Sequence, residues 1–320
     1  MSLELVAESG EPLPYRPGQF LTLRIPSDRT GSVARSYSLS SAPHEGGPLK
    51  VTVKRIADGY GSNWLCDNAN AGMIIDSLPP AGVFIPESLD TDLLLFAAGS
   101  GITPVLSILK SILAQGNGRC TLIYANRDEE SVIFADELRA LAAEYPHRLV
   151  ILHWLESVQG LPAARSLTDL IAPWSDREIF VCGPVPFMDA VVTAARDLGV
   201  DRERVHVEKF VSLSGDPFAQ AVIDTPDTAD CATVEVEFDG DTHEFAWPRS
   251  AMLLDLLLVR GVAAPYSCRE GACSACVCRV VDGEVKLLRN DVLEQQDLDE
   301  GYVLACQAVP VTDSVRITYE

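Results

Sequence analysis

The sequence predicts three modules in series: a small antiparallel β-barrel, a parallel α/β sheet and a compact α+β unit. Three observations carry this prediction. Up to about Asp90, short runs alternate apolar with polar residues between Pro- and Gly-rich turns. From Asp92 onward, unbroken apolar runs take turns with helical periodicity, the pattern of a parallel sheet covered on both faces. Past a Gly-, Asp-, Pro- and Thr-rich stretch come a hairpin-like pair of strands, a helix and a cysteine-rich loop. The implied division is 1–90, 91–211, a linker at 212–232, and 233–320.

In the first module the strands are expected at 20–25, 35–39 and 49–55, a spacing that suits a small barrel. A strand at 2–7 precedes them. In the second module the strands are 93–98, 120–124, 149–153 and 179–182, with helices over 104–113, 132–144 and 186–198. In the third, strands at 233–238 and 242–247 turn at Asp239-Gly240, a helix spans 251–260, and further strands lie at 278–281 and 315–319.

Composition excludes several classes of function. A net charge of −21 argues against nucleic acid or an anionic membrane as partner. The last module is acidic in its own right, with 16 acidic against 7 basic residues over 231–320, and such a face can steer a basic redox partner. No apolar run approaches the roughly 18 residues of a membrane span, and the opening residues do not resemble an export signal. Nine cysteines without such a signal imply the reducing cytoplasm, where thiolates stay free to bind metal.

Cys268, Cys273 and Cys276 stand in the spacing C-x4-C-x2-C, and Cys306 follows after 29 intervening residues. This is the ligand spacing of a plant-type [2Fe-2S] cluster. Three thiolates must come from one tight loop, and its small residues Gly271, Ala272, Ser274 and Ala275 let backbone amides approach the inorganic sulfides. Zinc sites pair two short Cys-x-x-Cys hooks, whereas this chain has one hook and a distant cysteine. Cys278 reads as a buried thiol in the strand that follows.

Two further motifs precede the cysteines. Residues 35–41 fit R-x-Y-S-x-x-S, a flavin-binding pattern: Tyr37 offers an aromatic face, Ser38 a donor near the reactive ring nitrogen, and Arg35 a cation for phosphate. Ser41 closes the motif and Lys54 adds a second cation. Gly61 and Ser62 open an apparent helix whose free amides can hold a pyrophosphate, which favours FAD over FMN. Next, Gly99-Ser-Gly-Ile-Thr-Pro104 follows the first buried strand, so Gly99, Gly101 and Thr103 form a phosphate cradle at the edge of a parallel sheet. Cys182, Gly183 and Pro184 end a neighbouring strand and face the same crevice. Ser38 and Cys182 are the candidate catalytic residues. At the end of the second strand, Arg127 could clamp the 2′-phosphate of NADPH, but Asp128, Glu129 and Glu130 suit the free ribose of NADH.

The order of these motifs resembles the ferredoxin–NAD(P)H reductase superfamily, in the class with a C-terminal plant-type ferredoxin domain. More narrowly, 15–20, 35–41, 58–64, 97–104, 124–128 and the cysteine loop are similar to the reductase components of 3-ketosteroid 9α-hydroxylases, which are two-component Rieske monooxygenases. The resemblance implies an antiparallel β-barrel flavin domain, an α/β parallel-sheet nucleotide domain and a β-grasp 2Fe-2S domain. It also implies electron transfer from NADH through FAD and the cluster to a terminal Rieske oxygenase in steroid catabolism. Reductases of phenylacetyl-CoA epoxidases share most of these motifs. A reductase serving another oxygenase or a fatty-acyl desaturase is a further alternative, because a docking face leaves no readable motif. A scaffold that keeps the folds without cofactors is the remaining one.

Overall fold

The computed structural model describes residues 1–221, 223 and 230–319. The part of the expected linker at 222 and 224–229 lies outside the described residues. The chain divides into two compact units. One is Met1–Leu21, Ser36–Ile74 and Gly82–Phe210; the other is Thr22–Arg35, Ile75–Ala81 and Val211–Glu320. The second unit therefore holds a piece of the N-terminal module together with the cysteine loop.

The N-terminal strands are β1 (Ser2–Leu5), β2 (Phe20–Ser27), β3 (Gly31–Ser38) and β4 (Leu49–Thr52). β1 runs antiparallel to β4, with Leu3 opposite Val51, and β2 lies beside β3. Leu23, Ile25, Leu39 and Val51 are wholly buried, which is why the apolar positions alternate. Helix α1 (Tyr60–Asn68) follows.

The remainder of the first unit is a five-stranded parallel sheet of β5 (Leu93–Ala98), β6 (Cys120–Asn126), β7 (Leu149–Leu155), β8 (Glu178–Cys182) and β9 (Val205–Glu208), in the order β7-β6-β5-β8-β9. β5 is central and buried along its whole length, as its unbroken apolar run requires. Its helices are α2 (Ile102–Gln115), α3 (Ala135–Glu144), α4 (Glu156–Gln159), α5 (Ala164–Ile171) and α6 (Val185–Asp197). One core packs α2 and Leu138 of α3 against Leu93, Leu95 and Ala97; the other packs Leu167, Ile171, Met188 and Val191 against Leu94 and Phe96. The alternation along β5 thus feeds helices on both faces. α3 begins at Ala135 rather than Val132, because Phe134 takes a left-handed φ of 61° that no α-helix continues through. β9 and α5 have no counterpart in the sequence pattern described above.

In the second unit β10 (Cys231–Phe238) and β11 (Asp241–Pro248) form the expected hairpin, with Asp239 and Gly240 at φ 54° and 80°. Positive φ at both central residues matches the right-handed twist of the strands. Then come α7 (Leu253–Val259), β12 (Val277–Asp282), β13 (Val285–Leu287), α8 (Gln295–Asp299), β14 (Tyr302–Leu304), β15 (Ala308–Pro310) and β16 (Ser314–Thr318). The sheet order is β11-β10-β16-β12-β14, with β10 and β16 parallel and the other pairs antiparallel. α7 packs Leu253, Leu254, Leu256 and Leu257 on this sheet around Trp247, which is fully buried. No helix among the described residues is long and apolar enough to cross a membrane.

Candidate active site

The loop between α7 and β12 is bent by Arg269, Gly271 and Ser274, all in the left-handed region at φ 57°, 74° and 55°. Only Gly271 is there without cost, and a Cβ on it would lie 2.8 Å from the Arg289 carbonyl oxygen. Two ordinary residues held at positive φ mark a backbone shaped for a task rather than for local comfort. The bend turns amides onto sulfur: Glu270 N and Ala272 N donate to Cys268 Sγ at 3.3 and 3.4 Å, and Cys268 N donates to Cys273 Sγ at 3.4 Å. The Cys273 and Cys306 thiols also hydrogen-bond Cys268, and Cys276 joins Cys306. Donation by Cys273 first, then Cys306, pulls Cys268 down to about 2, while their role as donors pushes Cys273 and Cys306 up.

The four sulfurs are thereby strung as Cys273–Cys268–Cys306–Cys276. Among the described residues no three His, Cys, Asp or Glu side chains converge on a single ion. The four neighbouring thiols suit a cluster held by thiolate ligands. Surrounding amides that stabilise negative sulfur also fit thiolate ligands, which bind deprotonated. Cys278 is buried behind this set on β12, and burial lifts its thiol far above the ordinary range.

At the end of β3, Ser38 is 4% exposed and its hydroxyl has no hydrogen-bond partner among the described residues. A buried hydroxyl without a partner is costly, so a ligand atom there would satisfy it. Tyr37 beside it is half-buried. Arg35, on the portion of β3 in the second unit, donates from one guanidinium nitrogen to the carbonyls of Ala34 at 2.7 Å and Leu213 at 3.0 Å. The Ser41 hydroxyl is committed to protein: Tyr15 Oη donates to it at 2.8 Å and Lys50 N at 3.0 Å. Ser41 thus braces the strand, a role its place in the motif did not disclose. α1 starts at Gly59 with no side-chain cap, leaving its first amides for a ligand. Within that turn the Ser62 hydroxyl accepts from Ile56 N at 3.2 Å, so its side chain shapes the turn.

The two nucleotide loops of the first unit meet directly. A Cβ on Gly101 would run into the Cys182 carbonyl and lie 2.8 Å from Gly183 N. A Cβ on Gly183 would in turn lie 2.8 Å from that of Ala98. Thr103 Oγ1 closes the turn on Ser100 O at 3.0 Å, and α2 begins uncapped by any side chain. Lys54 Nζ stands over this turn, 3.2 Å from where a Gly99 Cβ would be. Pro184 is exposed at the start of α6. Arg127 projects at 75% exposure with Asp128 4.0 Å away, while Asp128 Oδ1 also accepts from Ser131 N at 2.9 Å.

Glu208 is the residue that sequence reasoning missed. It ends β9, in register with Cys182 at the end of β8. The residue is half-buried, and the desolvation of its carboxyl lifts it from the ordinary 4.5 to about 8. Burial raises the Cys182 thiol as well, and Glu208 adds to that rise. Only the alternation Val205-His-Val-Glu208 signalled an edge strand, and it is too short to read unaided. Because the folded chain holds this proton up to about pH 8 and the unfolded chain releases it above 4.5, Glu208 costs stability as pH rises through that window. Glu208→Gln is accordingly expected to raise Tm above pH 8 and leave it unchanged below 4.5. A melting series over pH checks this, and a gain independent of pH would refute it.

Comparison with known proteins agrees with this layout. Residues 2–85 match the oxidoreductase FAD-binding domain family, 95–193 the oxidoreductase NAD-binding domain family, and 236–311 the 2Fe-2S iron-sulfur cluster binding domain family. The chain is 60% identical over 308 residues to the ferredoxin reductase component of 3-ketosteroid-9-alpha-monooxygenase from Rhodococcus rhodochrous, covering 95% of this chain and 88% of that protein. It is 33% identical over 327 residues to one of the subunits of 1,2-phenylacetyl-CoA epoxidase from Escherichia coli K12, covering 96% and 89%. Among solved structures, phthalate dioxygenase reductase superposes with a TM-score of 0.59 at 26% identity, covering 99% of this chain and 92% of that one. The chain is an oxidoreductase with FAD-binding, NAD-binding and 2Fe-2S domains, and it belongs to the family of 3-ketosteroid-9-alpha-monooxygenase ferredoxin reductase components.

Proposed function

We propose that this protein takes electrons from NADH and delivers them, through FAD and a [2Fe-2S] cluster, to a Rieske-type terminal oxygenase that hydroxylates a 3-ketosteroid. The observation that carries the reading is its kinship with the steroid monooxygenase reductases, along a chain that keeps all three cofactor domains. When bound, FAD would accept a hydride from NADH and release its two electrons singly, and the cluster would carry one at a time near roughly −400 mV.

The chain's own residues supply placement. The orphaned Ser38 hydroxyl would hydrogen-bond the reactive ring nitrogen, and Tyr37 would cover the ring. Arg35 has further guanidinium donors beyond the nitrogen held by Ala34 and Leu213, and with Lys54 and the first amides of α1 at Gly61 and Ser62 it would hold the FAD phosphates. Gly99, Gly101 and Thr103 would cradle the nucleotide diphosphate, and Cys182, Gly183 and Pro184 would wall the nicotinamide. Glu208, protonated up to about pH 8, would hold a proton at the end of β9. Cys268 and Cys273 would ligate one iron, Cys276 and Cys306 the other. Nine free cysteines support a reducing, cytoplasmic setting.

Arg127, with Asp128 4.0 Å away and Glu129 and Glu130 close in sequence, would face the ribose end of the nucleotide. One cation among three carboxylates offers a 2′-phosphate little net attraction, so NADH is the donor. The test is reconstitution with the oxygenase component of a 3-ketosteroid-9-alpha-monooxygenase and a 3-ketosteroid. NADH should support hydroxylation with a kcat/KM about tenfold above NADPH, or about 1.4 kcal/mol. Equal use of NADPH would overturn the donor assignment. Turnover only with a phenylacetyl-CoA epoxidase oxygenase would overturn the partner.

A further inference from the structure

Within the second unit, the segment 213–218 lies between the cysteine loop and the barrel piece Thr22–Arg35. On the cysteine side, the Glu270 carboxylate gathers Ser214 N at 2.9 Å, Ser214 Oγ at 3.0 Å, and Gly215 N. The same residue's backbone N donates to Cys268 Sγ at 3.3 Å, so one residue holds a sulfur through its amide and the segment through its side chain. On the barrel side, Leu213 O accepts from Arg35 at 3.0 Å, and the Leu213 side chain is buried with Ala34, Cys268 and Ala272. Arg24 stacks over Phe218 at 5.5 Å and pairs with Asp216 at 3.5 Å. A buried hydroxyl pair, Thr22 and Ser267 at 2.7 Å, fastens β2 to the residue before Cys268. An unbroken run of bonds therefore leads from the strand of the R-x-Y-S motif, through Leu213 and Glu270, to the Cys268 sulfur.

We propose that Glu270 is a positioning residue for electron transfer from flavin to cluster, because it clamps segment 213–215 between the flavin-motif strand and the cysteine loop. The proposal rests on the FAD and cluster assignments above. In each transfer, one electron leaves the reduced flavin and one ferric ion of the cluster becomes ferrous. The clamp itself gains and loses no electron and no proton. Its carboxylate meets three donors with two oxygens, which a glutamine can satisfy only in part and an alanine not at all. Without it, the segment loses its hydrogen bonds on the cysteine side and keeps there only the packing of Leu213 on Cys268 and Ala272, while Arg35 holds the other side. A shift of about 1 Å in reacting groups can cost about 100-fold in rate, so even a smaller loosening is measurable.

The experiment is anaerobic rapid mixing of the holoprotein with NADH, following flavin bleaching optically and cluster reduction by freeze-quench EPR, with iron and flavin content measured on each sample. Glu270→Ala should bleach its flavin at the wild-type rate but reduce its cluster about tenfold more slowly or worse, at full iron content, with Glu270→Gln between. Cluster reduction at the wild-type rate in both variants would overturn the clamp. Loss of iron in both would overturn it too, by making Glu270 a residue of cluster assembly. Failure of the underlying assignments would appear in the wild-type protein as missing flavin or iron, whereas failure of the clamp appears only in the variants.

Discussion

Cys276→Ser is expected to abolish the iron–sulfur EPR signal and bring cytochrome c reduction to background, while Cys278→Ser keeps both. The two thiols are two residues apart and equally buried, at 2% and 3% exposure, so burial alone does not separate them. Their partners do. The Cys276 sulfur engages Cys306 and so belongs to the string of four. Cys278 sits in β12 opposite Val303, where its neighbours are sheet and core. A serine oxygen at 276 replaces a soft thiolate with a weak, hard ligand that iron–sulfur chemistry does not favour. At 278 the swap buries a hydroxyl instead, a penalty of about 1–3 kcal/mol in stability that leaves the ligands in place. Retained signal in the Cys276 variant, with loss in the Cys278 one, would reverse the assignment.

Gly101→Ala is expected to lower kcat/KM for NADH about 100-fold, or about 2.7 kcal/mol, with FAD still bound. The added methyl would run into the Cys182 carbonyl and approach Gly183 N to 2.8 Å. Both contacts are main chain, so no side chain can swing aside. Either the Gly99 turn or the end of β8 must retreat, and both would line the nucleotide crevice in the proposed function. Overpacking of this kind also costs about 1–3 kcal/mol of stability. Steady-state ferricyanide reduction and a melting curve measure the two effects. Unchanged NADH kinetics would mean that the loops need not touch.

What could be read in advance followed local rules. Leu93–Ala98 is all apolar because a central parallel strand is buried on both faces, and the structure keeps those bounds. Asp239-Gly240 announced its hairpin through the φ values that its turn demands. The cysteine spacing pointed to a 2Fe-2S domain, because ligand geometry constrains sequence directly, and the match over 236–311 agrees. What escaped depends on partners far along the chain. Arg35 meets Leu213 across 178 positions, and nothing near either residue marks the other. Ser41 reads as a motif residue until Tyr15 and Lys50 arrive to occupy it. β9 is a four-residue strand at the sheet edge, too short to show a period, and Glu208 was hidden with it. Phe134 delays α3 through a backbone angle that its side chain does not advertise.

The membership of Thr22–Arg35 in the unit of the cysteine loop has a consequence for recombination. Sequence modules invite exchange at the stretch between the nucleotide sheet and β10, where a crossover would seem to swap one ferredoxin-like domain for another. A donor domain grafted there would inherit Arg24, Ala34 and Arg35 from the host and would have to supply Phe218, Asp216, Leu213 and Ser267 in matching places. Chimeras cut at that stretch should inherit a mismatched seam, whereas exchanges that carry 22–35 along with the C-terminal part should not. The unit of inheritance for the electron outlet is therefore discontinuous in sequence, and libraries of hybrid reductases are best designed with two crossovers flanking 22–35 in addition to the one before β10.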